Sequence, residues 1–348
     1  MTDPLLSVSN LKTYFHTQEG TVKAVDDVSF DVNRGETVCL VGESGAGKTV
    51  TCESITKLIS MPPGEIVGGE IVFDGTNLTQ LSEKQVRKFR GDRIAYIFQN
   101  PQNALDPVYT IGDQIKEAVQ YHQNISDTEA KERAIELLNR VGIPKASTRI
   151  DDYPHEFSGG MKQRVVIAIA LAGDPDLLIA DEPTTALDVT IESQILDLIQ
   201  ELQDERDMSI LFITHDLGVV AEIADRVVVM YAGKVMEKGD VYDVFKRPSH
   251  PYTQALLRCL PGQGKKLEPI GGTIPDPTDP PEGCRFHPRC PHAIQECEVG
   301  EQPELIDVRG EAQKASCVFY QPHRDSSVVR SGIGSEGSQE SEAEEGKT

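Results

Sequence analysis

The residues most clearly suited to chemistry lie in one glycine-rich segment near the N-terminus. Gly42-Glu-Ser-Gly-Ala-Gly-Lys-Thr49, called the P-loop below, matches the pattern G-x-x-x-x-G-K-[ST] in full. Glycines let the backbone curl so that its N–H groups face phosphate oxygens. Lys48 supplies a charge for the β- and γ-phosphates, and the Thr49 hydroxyl suits Mg²⁺. The pattern predicts a nucleoside triphosphate site whose candidate contacts are Gly42, Glu43, Ser44, Gly45, Ala46, Gly47, Lys48 and Thr49.

A pair of acids follows the apolar run Leu177 to Ala180. A buried strand should not end in adjacent carboxylates unless they face a site or solvent. Beside a phosphate loop, Asp181 is expected to order Mg²⁺ and its waters, and Glu182 to polarise the attacking water. The pair therefore predicts hydrolysis as well as nucleotide binding.

Two more polar side chains follow apolar runs. Gln99 comes after Ile94 to Phe98, and His215 comes after Ile210 to Thr214. Ligands of open α/β sheets bind at the carboxyl ends of the strands, so both side chains are expected at the nucleotide. Gln99 is predicted to join Mg²⁺ to the attacking water, and His215 to donate to the γ-phosphate. The candidate catalytic residues are thus Glu182, His215 and Gln99, and the candidate Mg²⁺ ligands are Thr49, Gln99 and Asp181.

These side chains require buried strands that alternate with helices. Thr37 to Val41 has the length and composition of a buried strand, and Val50 to Ile59 is predicted as the helix after the P-loop. Further strands are predicted at residues 177–180, 210–214 and 227–231, with a helix around residues 191–202. Alternating strands and helices indicate a largely parallel sheet covered on both faces, and so an α/β fold.

The remaining segments lie around this core. Strands are predicted within residues 5–32, and a helical insertion contains Ser126-Asp-Thr-Glu129, which is typical of a capping box. The composition shifts towards Pro and Gly near residue 260, and the end of the chain is rich in Ser, Gly and Glu, which predicts disorder. The predicted units are an ATPase domain at 1–260 with its helical part at about 105–172, a C-terminal extension at 261–323 and a disordered acidic tail at 324–348.

Phe157-Ser-Gly-Gly-Met-Lys-Gln-Arg164, called the signature segment below, resembles the signature of ATP-binding cassette (ABC) ATPases. The motif order is also that of the family: P-loop, Gln loop, signature, acidic strand end, Ala186-Leu-Asp188 and His215. The resemblance covers roughly residues 5–260. It implies a P-loop NTPase cassette with a RecA-like core, an antiparallel β subdomain and a helical subdomain. The commonest signature has Gln where this chain has Met161, a variation familiar in one branch.

The signature segment has a physical interpretation of its own. Ser158 and Gly159-Gly160 precede an apolar helical run, and a helix N-terminus with exposed N–H groups suits an anion. The resemblance implies that this second anion site serves another chain, so that two subunits sandwich ATP head to tail. Phe15 matches the position of the family's aromatic residue that stacks on adenine, Tyr14 is a near rival, and a core role stays open for either. The implied cross-interface contacts are Ser158, Gly159, Gly160, Met161 and Asp188.

Three further segments resemble one branch of the family, the oligopeptide and dipeptide importers. They are Phe98 to Pro107, His250 to Leu257, and Gly283 to Pro291. The resemblance implies the D-type ATPase subunit of dipeptide and oligopeptide permeases, with ATP and Mg²⁺ as cofactors. The implied partners are a second ABC ATPase subunit, by branch habit a paralogue in a heterodimer, two transmembrane permease subunits and, indirectly, an extracellular or periplasmic solute-binding protein.

Other functions stay open on the sequence alone. Relatives in this branch also serve nickel, glutathione or oligosaccharides, and an ATPase that never touches cargo carries no direct record of it. A soluble ABC protein of DNA repair or translation and an exporter ATPase are the alternatives outside import. The single cassette argues against the first, and the branch-specific C-terminus argues against the second.

Four cysteines lie within the C-terminal extension, with the spacing C-x5-C-x6-C-x19-C. They are Cys284, Cys290, Cys297 and Cys317. In a cytosolic protein such a group indicates a metal more than disulfides. Four thiolates suit a [4Fe–4S] cluster or tetrahedral Zn²⁺, and the spacing does not choose between them. Some members of the branch carry a [4Fe–4S] cluster here, so that cluster is the favoured hypothesis, with Zn²⁺ and unligated thiols as alternatives.

Charge and hydrophobicity restrict the surroundings of the chain. There are 34 Lys and Arg against 56 Asp and Glu, a formal net charge of −22, which argues against general nucleic-acid binding. The acidic surface favours solubility, or adaptation to high salt. No apolar run approaches the roughly 20 residues of a membrane span, and Met1 to Asn10 lacks a secretory signal. The expected location is the cytoplasmic face of the plasma membrane, where permease subunits hold the chain peripherally.

Overall fold

The computed structural model describes residues 3–99, 104–185, 187–260, 269–310 and 313–330. Within these ranges no helix is both long and apolar enough to cross a membrane. The strands are β1 (Leu6–Thr17), β2 (Gly20–Val32), β3 (Thr37–Val41), β4 (Gly64–Phe73), β5 (Thr76–Asn77), β6 (Ile94–Ile97), β7 (Leu177–Asp181), β8 (Ser209–Thr214), β9 (Arg226–Tyr231), β10 (Lys234–Asp240), β11 (Ile306–Asp307) and β12 (Gln313–Ala315). The helices are α1 (Lys48–Ile55), α2 (Glu83–Val86), α3 (Ile111–His122), α4 (Asp127–Arg140), α5 (Ala146–Arg149), α6 (Gly159–Ala170), α7 (Val189–Arg206), α8 (Leu217–Ile223), α9 (Val241–Lys246), α10 (Pro251–Arg258) and α11 (Ser327–Arg330).

The larger sheet has the strand order β11-β12-β10-β9-β3-β8-β7-β6. The run from β9 to β6 is parallel, whereas β10, β12 and β11 are antiparallel. Every residue of β3, β7 and β8 is buried, as expected for parallel strands covered on both faces. The predicted α/β core is therefore confirmed.

The smaller sheet is antiparallel, with the order β2-β1-β4-β5. Leu6, Val8 and Leu11 on β1 are buried and join a hydrophobic cluster that includes Leu40 of β3 and Ile55 of α1. The β subdomain thus packs against the strand and helix on either side of the P-loop.

The helical part begins with α3 and ends with α6. Ser126 caps α4, and Ser126 and Glu129 form the capping box that the sequence predicts. Val119 of α3, Leu138 of α4 and Val165 of α6 are fully buried in one cluster with residues of the larger sheet. The helical subdomain is therefore confirmed as a packed part of the cassette.

The C-terminal extension contributes strands to the larger sheet, because β12 pairs with β10 through Lys238 and Lys314. The predicted boundary near residue 260 adjoins residues 261–268, which lie outside the described residues, so the domain limits stay predictions. The prediction of disorder from residue 324 is wrong for residues 324–330. Val329 in α11 is fully buried there, and its carbonyl accepts a 2.6 Å hydrogen bond from Gln254 Nε2. Residues 331–348 lie outside the described residues.

Glu237 of β10 ties this extension to the core. Its fully buried carboxylate accepts 2.8 Å hydrogen bonds from the N–H groups of Ser249 and His250, which precede α10. It also accepts a 2.6 Å bond from Gln313 Nε2 of β12. Burial raises the pKa of Glu237, although these hydrogen bonds oppose the shift. One carboxyl group therefore joins β10, the residues before α10 and the distant strand β12.

Glu237→Ala is expected to lower the free energy of unfolding by about 2–4 kcal/mol, because it leaves two N–H groups and an amide without their buried acceptor. Urea unfolding of the full chain, followed by circular dichroism, measures this loss. Glu296→Ala is the matched control, because Glu296 pairs with Arg324 at the exposed surface of the same extension. Equal midpoints for Glu237→Ala and the wild type would show that this carboxyl does not tie the segments together.

Candidate nucleotide-binding site

The P-loop forms a tight turn between β3 and α1, and its glycines are sterically required. A Cβ on Gly42, where φ is 153°, would lie 2.1 Å from the carbonyl oxygen of Met230. A Cβ on Gly47, where φ is 98°, would lie 2.3 Å from the carbonyl oxygen of Ala24. Both distances are far inside van der Waals contact, so the loop backbone packs directly on β9 and β2.

Lys48 opens α1 and lies back across the loop. Its Nζ donates to the carbonyl oxygens of Gly42 at 2.8 Å and Glu43 at 3.2 Å. Burial lowers the pKa of Lys48, and the charges of Glu182 and Asp181 oppose that shift. The loop therefore holds a buried ammonium group close to two acids, where it can bind phosphate oxygens.

Asp181 lies at the end of β7 and faces the P-loop. Thr49 Oγ1 donates to its Oδ1 at 3.2 Å, and the Tyr96 hydroxyl donates to its Oδ2 at 3.2 Å. Burial and the charge of Glu182 raise the pKa of Asp181, whereas the bonds from Thr49 and Tyr96 oppose the rise. A hydroxyl beside a carboxylate fits the oxygen ligands that Mg²⁺ prefers. Tyr96 carries no motif in the sequence, and its only signal is its place on the strand that leads to Gln99.

Glu182 is the acceptor at the centre of the candidate catalytic residues. Its Oε2 accepts bonds from Gln99 Nε2 and Thr185 Oγ1, both at 3.0 Å, and its Oε1 lies 3.1 Å from His215 Nδ1. Its φ of 45° lies in the left-handed region, which is strained for a residue with a Cβ. The structure thus brings Glu182, Gln99 and His215 together. Thr185, missed in the sequence, is a loop threonine with no pattern to mark it.

The hydrogen bonds at Glu182 determine its protonation. Burial alone would raise its pKa, but the bond and charge of His215, with the bonds from Thr185 and Gln99, outweigh burial and lower it. The carboxylate is therefore ionised at neutral pH and can accept a proton from a water molecule.

The signature segment lies beside the start of α7. Ser158 caps α6, with its Oγ accepting a 3.4 Å bond from the Met161 N–H. A Cβ on Gly160 would lie 2.5 Å from Ile191 Cγ2, and one on Gly159 would lie 3.9 Å from Leu187 Cδ2. Asp188 follows Leu187 in the chain and is exposed at the N-terminus of α7. Ala186 of the same motif lies outside the described residues.

The two aromatic candidates on β1 have different surroundings. The Tyr14 hydroxyl donates a 2.9 Å bond to Asp26, and burial with that bond raises the pKa of Tyr14 to about 12. Phe15, on the opposite face of the strand, is half-buried beside Gly64. Tyr14 is thus engaged within the fold, whereas the Phe15 ring keeps an exposed part.

The four cysteines of the C-terminal extension are free thiols, three of them buried and Cys290 half-buried. Burial raises the pKa of Cys284 and of Cys290 to about 11 and that of Cys317 to about 12, and neighbouring thiols of the set add to each shift. The Cys284 N–H donates a 2.9 Å hydrogen bond to the carbonyl oxygen of Cys297, so these two residues are neighbours. Across the described residues, however, no group of three or more His, Cys, Asp or Glu side chains is arranged to hold a metal ion.

The parallel sheet, the P-loop and the acids at the end of β7 define a P-loop nucleoside triphosphatase. Residues 25–185 match the family model described as ABC transporter. Residues 236–297 match the model for the oligopeptide/dipeptide transporter C-terminal region.

Relatives match over nearly their whole length. The chain is 49% identical to the oligopeptide transport ATP-binding protein AppD of Bacillus subtilis, over 91% of this chain and 97% of AppD. It is 48% identical to the dipeptide transport ATP-binding protein DppD of the same organism, over 95% of this chain and 98% of DppD. The chain therefore belongs to the ABC transporter ATP-binding family, whose members hydrolyse ATP.

Solved structures agree with this assignment. The ATP-binding cassette MJ0796, solved as a dimer bound to ADP and Pi, is similar with a TM-score of 0.61 and 27% identity, over 68% of this chain and 98% of that one. CbiO1 of Clostridium perfringens, part of the transporter complex cbiONQ, has a TM-score of 0.61 and 30% identity, over 70% and 91%. The expected cassette fold is thus confirmed.

Tyr96→Phe is expected to raise the Mg²⁺ concentration needed for half-maximal ATP hydrolysis by about 10-fold, because Asp181 loses a hydrogen bond that orients it. A magnesium titration of ATPase activity at saturating ATP measures the shift. Tyr121→Phe, at an exposed position on α3, is the control. Superimposable titrations of Tyr96→Phe and the wild type would exclude an orienting role for this hydroxyl.

Proposed function

We propose that this chain is the ATP-hydrolysing subunit of an ABC importer and that it powers the uptake of dipeptides or oligopeptides. The ATPase part rests on one observation: Gln99 and His215 are both hydrogen-bonded to Glu182. The preceding residue, Asp181, is hydrogen-bonded to Thr49 of the P-loop. The P-loop, the candidate Mg²⁺ ligands Thr49 and Asp181, and the ionised Glu182 thus lie at one edge of the sheet.

The proposed reaction is attack of water on the γ-phosphate of ATP. The N–H groups of the P-loop and Lys48 bind the phosphates. Thr49, Asp181 and Gln99 would hold Mg²⁺, which would supply positive charge to offset that of the phosphates. Glu182 accepts the proton of the attacking water, and His215 donates to the γ-phosphate. Phe15 stacks on adenine.

In this proposal a second ATPase subunit supplies the signature segment that faces the P-loop of this chain. Ser158 and Gly159 are exposed at the N-terminus of α6, next to α7, and the half-buried Gly160 and Met161 follow them. Asp188 is exposed close by. Such a surface suits the phosphates of ATP bound to a facing chain. The dimeric MJ0796 structure supports the pairing. A paralogous partner in a heterodimer, two permease subunits, a solute-binding protein and a peripheral place on the cytoplasmic face of the membrane complete the proposed assembly.

Peptides are the proposed cargo because of the relatives and the C-terminal match. AppD and OppD are named for oligopeptide transport and DppD for dipeptide transport, and OppD of Bacillus subtilis is 51% identical over 87% of this chain and 86% of its own. Nickel, glutathione and oligosaccharides are the competing cargoes. The match at residues 236–297 to a model named for peptide transporters favours peptides over them.

The [4Fe–4S] cluster is a separate proposal, which rests on the cysteine residues and on the branch. The backbone contact between Cys284 and Cys297 supports it, and thiolates are the donors that such a cluster uses. The side-chain arrangement does not support it, since no group suited to a metal is found in the described part of the chain. No step of hydrolysis is therefore assigned to a cluster.

Glu182→Gln is expected to retain ATP binding while the rate of hydrolysis falls by about 10²–10⁴-fold, because the amide cannot accept the proton of the attacking water. In a host deleted for this gene, the wild type should restore uptake of labelled dipeptides or oligopeptides, and Glu182→Gln should not. Glu201→Gln on the exposed face of α7 is the control for both assays. Normal hydrolysis by Glu182→Gln would refute its role as base, and uptake of nickel, glutathione or an oligosaccharide in place of peptides would refute the cargo.

For the cluster, protein purified without oxygen is expected to be brown and to contain iron and acid-labile sulfide in equal amounts. Cys284→Ser should lose both, whereas Cys259→Ser, outside the set and exposed, should keep them. A colourless, iron-free protein that hydrolyses ATP normally would remove the cluster from the proposal.

A further inference from the structure

A side chain of the C-terminal extension reaches the P-loop directly. Arg289 has only 3% of its side chain exposed, and its Nη1 lies 2.7 Å from Glu43 Oε2 while its Nη2 lies 3.2 Å from Glu43 Oε1. This two-pronged pairing of a planar guanidinium with a carboxylate is the strong form of an ion pair. Glu43 is the second residue of the loop, so the extension contacts the phosphate-binding segment itself.

Arg289 is held rigidly in this position. Its Nε donates to the carbonyl oxygen of Gly271 at 2.8 Å, its Nη2 to that of Ile270 at 3.2 Å, and its Nη1 to the Tyr231 hydroxyl at 3.2 Å. Its guanidinium also lies 5.6 Å from the centre of the Tyr231 ring. A side chain fixed on this many sides fixes the carboxylate that it binds.

The main chain of Glu43 is bound from the same direction. Its N–H donates a 3.0 Å hydrogen bond to the hydroxyl of Tyr252, which is fully buried on α10. The Tyr252 ring lies 4.7 Å from the ring of Tyr231 and 5.2 Å from that of Phe286, between centres. The backbone and side chain of Glu43 are therefore both bound by residues beyond position 250, outside the matched cassette at 25–185.

The Arg289 charge offsets the repulsion between the Glu43 carboxylate and the phosphates of a bound nucleotide. A carboxylate within a loop that binds a triphosphate repels the ligand, because charges of like sign interact over several ångströms in a partly buried site. The Glu43 side chain is 26% exposed, so water screens its charge only in part. The Arg289 charge cancels that of Glu43, and its two nitrogens hold both oxygens of the carboxylate.

We propose that Arg289 is a positioning residue for ATP: it neutralises Glu43 and fixes the start of the P-loop, so that the C-terminal extension sets the affinity of the site for nucleotide. This inference rests on the proposed function of the P-loop as the ATP site. It assigns to the extension a role in nucleotide binding.

The test is a set of variants of the full chain with equilibrium binding of MgATP as the readout. Arg289→Gln is expected to weaken ATP binding by about 5- to 20-fold, a size typical of coupled charged neighbours. The double variant Arg289→Gln with Glu43→Gln should bind ATP more tightly than Arg289→Gln alone, because the unpaired negative charge is gone. Raising the salt concentration should reduce the defect of Arg289→Gln, as expected for a charge effect.

Arg324→Gln is the matched control, since Arg324 pairs with Glu296 in an exposed ion pair of the same region and should bind ATP like the wild type. Thermal unfolding of each variant shows whether it is folded, and rescue by the second substitution excludes a general loss of structure. ATP binding by Arg289→Gln equal to that of the wild type would overturn the inference, and so would a double variant as weak as the single one. A wild type that binds no ATP would overturn the proposed function together with the inference, whereas the other two failures leave the ATPase intact.

Discussion

The site depends on the register of the parallel strands in the larger sheet. Val41 pairs with Thr214, Asp181 with Ile213, and Ile97 with Ala180. These pairs bring the carboxyl ends of β3, β8, β7 and β6 to one edge. Asp181 ends β7 at this edge, and the P-loop, Glu182, His215 and Gln99 begin within two residues of their strand ends. Both faces of these strands are buried, and a slip of one residue would exchange the faces of every side chain. The hydrophobic core thus fixes the positions of polar groups that contribute nothing to it.

The pKa values of the adjacent acids Asp181 and Glu182 shift in opposite directions because their neighbours differ. Burial and the nearby Glu182 charge raise the pKa of Asp181, whereas the His215, Thr185 and Gln99 bonds lower that of Glu182. Asp181 is therefore the acid whose ionised form gains more from a cation, and Glu182 is the one whose ionised form the protein itself stabilises. Environments that separate neighbouring carboxyl groups in this way are a common basis for separate roles.

What the sequence could predict was local. The apolar runs of β3, β7 and β8, the P-loop and the capping box of α4 are each contained in a few consecutive residues, and the structure has them where they were expected. What could not be predicted depends on distant partners. Arg289 and Glu43 are 246 residues apart in the chain, and the hydrogen-bonded Tyr96 and Asp181 are 85 residues apart. The error over the tail has the same origin, because α11 is held by Gln254, which no local pattern associates with Val329.

In a dimer of ATPase subunits, the contacts of the extension affect only one of the two ATP sites. In the proposed pairing, each chain gives its P-loop to one ATP site and its signature segment to the other. Arg289 of the extension contacts the P-loop of its own chain. The signature segment instead lies beside α7, and Met161 Sδ accepts a hydrogen bond from Arg149. The extension therefore acts on the site that contains its own P-loop. With a paralogous partner whose loop is held differently, the two ATP sites would differ in affinity, and the difference would arise outside the residues that touch ATP.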